Sequence, residues 1–224
     1  MGLFSFISKL IGGSGPQQKI EISKSSAADG LPIIYGRRRV EAINVFKRVS
    51  SNAISATAGQ YGEDHYAKAA ANKDDSGIDR PNVWLHRIDV SGQGEIQGIR
   101  RYWVDGDEIT HKRFFPRPYF RALTKYGSET QTAFTALASA SDSQWGAAHR
   151  GSGVAYSWTR FFNSKNKPQF TSEPELKAEI DGLRLYDPRL DSSVPGGSGG
   201  HNFNDASTWA FSNNRALVVL NYLM

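Results

Sequence analysis

The sequence has no cysteine. That excludes a disulfide framework, a thiolate metal site such as a zinc ribbon, and a thiol nucleophile, and it suits a reducing cytoplasm. Long apolar runs are also missing. The one candidate, MGLFSFISKLIGG at the start, is too short to span a bilayer and is interrupted by Lys9. It has no basic leading segment, and Phe6 stands where a myristoylation signal needs Ser or Thr. Stable membrane insertion is therefore not expected. The five histidines, His65, His86, His111, His149 and His201, are too scattered to put two ligands on one helix face. The glycine-rich GQGEIQG at 92–98 misses the dinucleotide spacing and leads into a strand rather than a helix. PGGSGG lacks the Lys-Ser/Thr of a phosphate loop, and no Gly-x-Ser-x-Gly elbow occurs. The adjacent acids Asp74/Asp75 and Asp105/Asp107 lie in turn-like stretches, where Asp serves the backbone without catalytic duty. DDSGID lacks the closing Glu of a calcium loop, and HNFND at 201–205 sits in a Gly-rich stretch that suits a metal poorly. The expectation is a chain with no catalytic residue, no cofactor and no metal.

What is present is length, glycine and aromatic side chains. With 224 residues the chain can bury a sizeable core without staples. Its 22 glycines and 12% aromatic content favour strands and turns. The net charge is +5, with basic residues gathered at Arg37, Arg38, Arg39, Lys47 and Arg48 and again over 100–125. The stretch 173–191 is locally acidic. Patches of opposite sign suit contact between subunits as well as they suit a polyanion.

Residues 1–18 read as a small amphipathic helix on a Gly-Ser tether, with Leu3, Phe6, Ile7 and Leu10 at helical spacing. Its apolar stripe suits docking on its own domain or anchoring in a neighbouring subunit. Residues 19–112 read as a β-rich domain: a short strand in LPIIYG, a second in RRRVEAINVFKRV, a protruding loop over 50–80, and a meander of three or four strands over 82–112. Asp105-Gly106 marks a two-residue hairpin turn, since few other pairs accept its positive φ. Residues 113–178 form an α/β portion. There Ser128 and Gln131 fit a capping box, and Ala133, Phe134, Leu137 and Ala138 share a helical face ending near Ser141. GVAYSWTRFF follows as a strand. Residues 179–224 give a return strand, a Gly-rich loop, and an apolar C-terminal element that could be strand or short helix. The fold class is thus mainly β with a small α+β portion, its antiparallel strands forming barrel-like domains, with one short helix near 128–141.

Asp187-Pro188-Arg189 ends a strand-like run on a charged turn. Proline fixes its own φ and drives Asp187 out of the helical region, so Asp187 starts a turn. Asp187 and Arg189 lie close enough to pair or to hold loop carbonyls, whereas a general acid would need a second group beside it, and no obvious one stands nearby in sequence. The structural reading of this turn leads.

Five stretches in order carry a resemblance. LPIIYGRRRVEAINVF, then GEIQGIRRYWVDGDEI, then Gly127 to Gln131 with Trp145 and GVAYSWTRFF, then DGLRLYDPRL, then SNNRALVVLNYLM resemble tail-tip hub or tip attachment proteins of long-tailed bacteriophages. The resemblance covers about residues 30–224. Glu41-Ala42 stands where that family often has glycines, and Asn214-Arg215 replaces its Asn-Pro. Family members usually run on for many hundreds of residues, so this chain is expected to be part of a longer protein or of a tip divided among several chains. The resemblance implies a structural hub subunit, a homotrimer in the virion tail tip, made in the host bacterial cytoplasm. Its partners would be other tail-tip and tail-tube proteins, with tape-measure protein and DNA passing non-specifically through a channel. Interface candidates are Leu3, Phe6, Ile7, Leu10, Arg37, Arg38 and Arg39. Two other classes compete with the hub. A tail-associated cell-wall hydrolase would need two acids bracketing a glycan. A carbohydrate-binding module would expose Trp103, Trp145 or Trp158 in a row.

Overall fold

The strand β7, Val154–Asn163, alternates so that Tyr156 and Trp158 point to one face of a sheet and Ala155 and Phe161 to the other. All four are buried. It lies beside β3, Val83–Gln93, in a sheet ordered β2 (Ile43–Ser50), β3, β7, β6 (Phe120–Tyr126), with every pairing antiparallel. A second sheet is ordered β1 (Arg37–Glu41), β8 (Leu176–Leu185), β4 (Ile96–Val104), β5 (Asp107–Glu108), and the short β9, Ala210–Phe211, pairs with the end of β8. This is a computed structural model that describes residues 30–50, 83–111, 119–141, 143–163, 170 and 172–224. The expected N-terminal helix with Leu3, Phe6, Ile7 and Leu10, the 50–80 loop beyond Ser50, and His65 lie outside the described residues.

The sheets stack face to face. Leu85, Phe120 and Phe161 of the first pack with Val104 and Leu176 of the second, together with Phe170. A second cluster, Ile34, Ile96, Ala155, Ala178 and Ile180, continues this layer. The far face of the first sheet is covered as well: Phe46, Ile88, Val90, Tyr156 and Trp158 pack under Phe134 and Leu137. The first sheet is therefore the middle layer, and each large side chain buried there contributes about 2–3 kcal/mol. Polar groups inside this layer are paired. Arg87 bonds Asp89 through Nε at 3.0 Å, Thr159 donates to the other Asp89 oxygen, and Asn44 donates to Oδ1 at 3.3 Å. The Tyr102 hydroxyl from the second sheet meets Thr124 and Ser157 of the first, each at 2.8 Å.

Mainly antiparallel β structure is what the composition indicated, but the architecture departs from the expectation in several places. The sheets do not close into barrels: among the described residues no pairing joins the edge strands β2 and β6, or β1 and β5. The stretch 82–112 is not one meander, because β3 and β4 belong to different sheets. The chain changes sheets at Gly92–Glu95, where the ladder slips by a residue and Gly94 takes φ +87°, a conformation open to glycine. RRRVEAINVFKRV is likewise two strands, split at Ala42, whose N–H bonds Leu176 O at 3.2 Å. LPIIYG is not a strand. It makes one bridge at Ile33, and its backbone laces the sheets together through Gln93 N to Pro32 O and Leu183 N to Ile34 O.

The helix expected near 128–141 is a single turn, α1, Leu137–Ala140. Gln131 does not reach back to Ser128 as a capping box requires. Its Oε1 accepts from Gly127 N at 2.9 Å and its Nε2 donates to the carbonyls of Arg150, Gly151 and Val154, so it ties two loops together. The longer helix is C-terminal: α2, Arg215–Leu223, capped by Asn214, whose Oδ1 accepts from Ala216 N at 3.0 Å. Strand pairing also runs across the sequence segments, since β8 of the last joins β1 and β4 of the second.

Candidate functional site, a charged sheet face and the corner at its end

Period-two alternation puts Leu176, Ala178 and Ile180 of β8 in the core, so Lys177, Glu179 and Asp181 must point the other way. Register completes the pattern. Arg37 lies opposite Asp181, Arg39 opposite Glu179, and Glu41 opposite Lys177 on one side. On the other side Arg101 lies opposite Glu179 and Trp103 opposite Lys177. Arg100 and Arg101 on this face are half exposed, and the Phe211 ring lies 5.9 Å from the Arg37 guanidinium. The face is an array of ion pairs, Lys177 with Glu175 among them.

Asp181 is its anchor. It is buried, accepts from Arg37 Nε at 2.7 Å, and accepts from Arg100 Nε at 2.5 Å across the slip between Ile99 and Arg101. Burial alone would raise its pKa, but the bonds from Arg37 and Arg100 hold it below the ordinary carboxylate value. One carboxylate thus carries two guanidiniums. Arg39 stacks its guanidinium 4.0 Å from the Trp103 ring, and Arg101 reaches Glu108 and Glu179 at 3.7 and 3.5 Å. Arg38 is exposed, and its Nη1 donates to the Arg37 carbonyl at 3.2 Å. At one end of β4, Asp105 and Gly106 both take positive φ, and Asp105 Oδ1 accepts from Glu175 N at 2.9 Å.

Where β8 ends, Asp187 caps a single 3-10 turn, Pro188–Leu190. It accepts from Arg189 N at 3.0 Å and is clamped by the Arg189 guanidinium at 2.9 and 2.7 Å, which holds its carboxyl below the ordinary range. Its own N–H is received by His201 Nδ1 at 3.1 Å. Beside it Tyr186 donates to Asp191 at 2.7 Å. Hydrogen bonds from Ser193 and then Tyr186 hold Asp191 down at about 2, and the Asp191 carboxylate pushes Tyr186 up to about 12. His201, Phe203 and Trp209 surround the Tyr186 ring at 6.4, 5.4 and 6.0 Å. The pairing of Asp187 with Arg189 that their spacing allows is therefore present, and His201 receives the backbone N–H of the same turn.

The corner returns to the charged face through Asn213, whose Oδ1 accepts from Arg37 N at 2.7 Å, and continues into α2. That helix buries only Leu217 and leaves Val219, Tyr222, Leu223 and Met224 exposed, Tyr222 at 79%. Asn213 thus ties the start of β1 to the segment that leads into α2.

Sequence reasoning missed Asp181, Asp191 and Trp209. Asp181 was within reach, because alternation along KAEID sets it beside the arginines once β8 pairs with β1. The tryptophans considered for a binding row do not form one. Trp158 is 1% exposed, Trp145 stacks on His149 at 4.8 Å, and Trp103 lies under Arg39. Among the described residues no three His, Asp or Glu side chains are placed to hold a metal, and no helix is long and apolar enough to cross a membrane.

No family model matches the chain, and no curated protein matches it. Among solved structures it is similar to a chain titled "Virion of native gene transfer agent (GTA) particle", with 16% identity and a TM-score of 0.42. The match covers 85% of this chain and 38% of that chain, so the present chain spans well under half of that protein's length. A likeness of this size carries no argument about function.

Proposed function

We propose that this chain is a structural subunit of a phage-like virion, placed in the tail tip or baseplate hub, where it joins the tail tube to the distal fibre or spike. The observation that carries the reading is the pairing of two surfaces: an arginine-rich, ion-paired sheet face whose Arg100 and Arg101 are half exposed, and the exposed apolar residues of α2 next to it. Large exposed apolar side chains beside complementary charges are the composition of a subunit contact. The ordered series of sequence stretches resembling tail-tip hub proteins supports the same placement. In this reading the chain makes and breaks no bonds. Three copies form a ring, and the half-exposed arginines of the sheet face line a channel that passes DNA without reading bases.

The test is location. Antibody against this chain should label tailed particles from its source at the distal end of the tail. Label confined to heads, or particles without the chain, would overturn the proposal.

A further inference from the structure

We infer that the cavity between β8, the 206–209 turn and α2 is a binding site for a neutral pyranose. Its volume is about 370 Å³, at the small end of the usual range for ligand sites. Glu95, Leu183, Arg184, Trp209 and Asn221 line it. The site does not depend on the proposed tail-tip role.

Trp209 is fixed before any ligand arrives. Its indole Nε1 donates to the Asn202 carbonyl at 2.8 Å, and its ring packs against Tyr186. The Ala206–Thr208 turn that carries it is capped by Asp205 through the Ser207 N–H. A held indole with surface in a cavity is a stacking platform, because its negatively polarised face attracts the C–H groups of a sugar ring.

The polar groups around it are of the matching kind. Arg184 Nε is shielded from solvent and has no hydrogen-bond partner, and the Asn221 amide bonds no described residue. A shielded donor such as Arg184 Nε is costly unless a partner is supplied. Glu95 adds an acceptor, 3.5 Å from Arg184. Vicinal hydroxyls both donate and accept, so they can satisfy a guanidinium, a carboxylate and an amide together. The Arg184–Glu95 pair is neutral overall. A phosphate or other anion would gain the guanidinium but face the Glu95 carboxylate, so the observations favour an uncharged ring.

The experiment is a titration of the full-length chain followed by the side-chain indole resonances of its five tryptophans, with Trp209 assigned through Trp209→Phe. The probes are methyl β-glucopyranoside and N-acetylglucosamine, with glucose 6-phosphate as the charged counterpart and adenosine monophosphate as a planar aromatic. The neutral sugars should move the Trp209 resonance selectively. Asn221→Ala, at a half-exposed helical position, should weaken that binding about fivefold, as the loss of one hydrogen bond does. Arg184→Gln should weaken it similarly without moving the other four resonances. The inference is overturned if neither sugar moves Trp209 at millimolar concentration, if both variants bind as the native chain does, or if adenosine monophosphate or glucose 6-phosphate binds and the neutral sugars do not.

Discussion

Arg37 and Asp181 face each other across the β1–β8 ladder, Nε donating to Oδ1 at 2.7 Å, and the same carboxylate takes a second guanidinium from Arg100. This contact fixes the edge strand of the charged sheet to its neighbour and presents the remaining positive charge outward. Asp181→Asn should cost about 1 kcal/mol of stability. That is near the upper end for pairs with half-exposed partners, since water screens both arginines. Urea unfolding checks it. The sign with pH follows from the depressed pKa: the stabilisation is present above the unfolded value of 3.8 and is lost as pH falls through the lower folded value. The variant should be flatter than the native chain across that interval.

Asp89 is wholly buried between the sheets, with Arg87, Thr159 and Asn44 on its oxygens. Asp89→Ala strands a buried guanidinium and should destabilise by about 3–5 kcal/mol. The expected readout is a large fall in the urea midpoint. A change below 1 kcal/mol would mean that this buried network is not holding β2, β3 and β7 together.

His86 is buried against Trp158, whose Nε1 donates to its Nδ1 at 3.3 Å. Burial, and then the Arg160 charge, push its pKa down to about 3 from 6.5. The folded ring stays neutral while the unfolded chain takes up a proton, so stability should fall as pH drops from 6.5 toward 3. His86→Gln should remove most of that slope in a series of thermal melts.

The corner at 186–191 should have its own pH limits. Asp191 contributes above 3.8 and loses its contribution as pH falls toward about 2. Tyr186 contributes below 10 and loses its contribution as pH rises toward about 12. The indole resonance of Trp209, which packs on Tyr186, should shift at both extremes, and Tyr186→Phe should abolish the alkaline shift.

Gly182 lies so close to the Ile34 carbonyl that an added Cβ would overlap it. Gly182→Ala must push the 32–36 segment off β8 and break the Leu183–Ile34 bond. A loss of at least 2 kcal/mol is expected by calorimetry, above the usual cost of one overpacked methyl.

The strands were legible because their alternation is local: Tyr156 and Trp158 against Phe161 can be read from ten residues. The sheet assignment was not. Whether the chain after Gly92 pairs back on β3 or crosses to another layer depends on β8, more than eighty residues later. The 128–141 helix misled for a related reason. Its spacing is helical, but Gln131 is drawn off to the 150–154 carbonyls, and only one turn remains. At the site, Arg37–Arg39 and the 187–189 turn were visible as charge. That Asp181 joins Arg37 to Arg100 needed the β1–β8–β4 register.

The most direct test of the central claim is sedimentation velocity on the full-length chain over a wide concentration range. The account requires a discrete assembly of three times the 24.7 kDa chain mass, returned to monomer by Tyr222→Lys with Arg39→Glu. A single 24.7 kDa species at every concentration, unchanged by those substitutions, would contradict it.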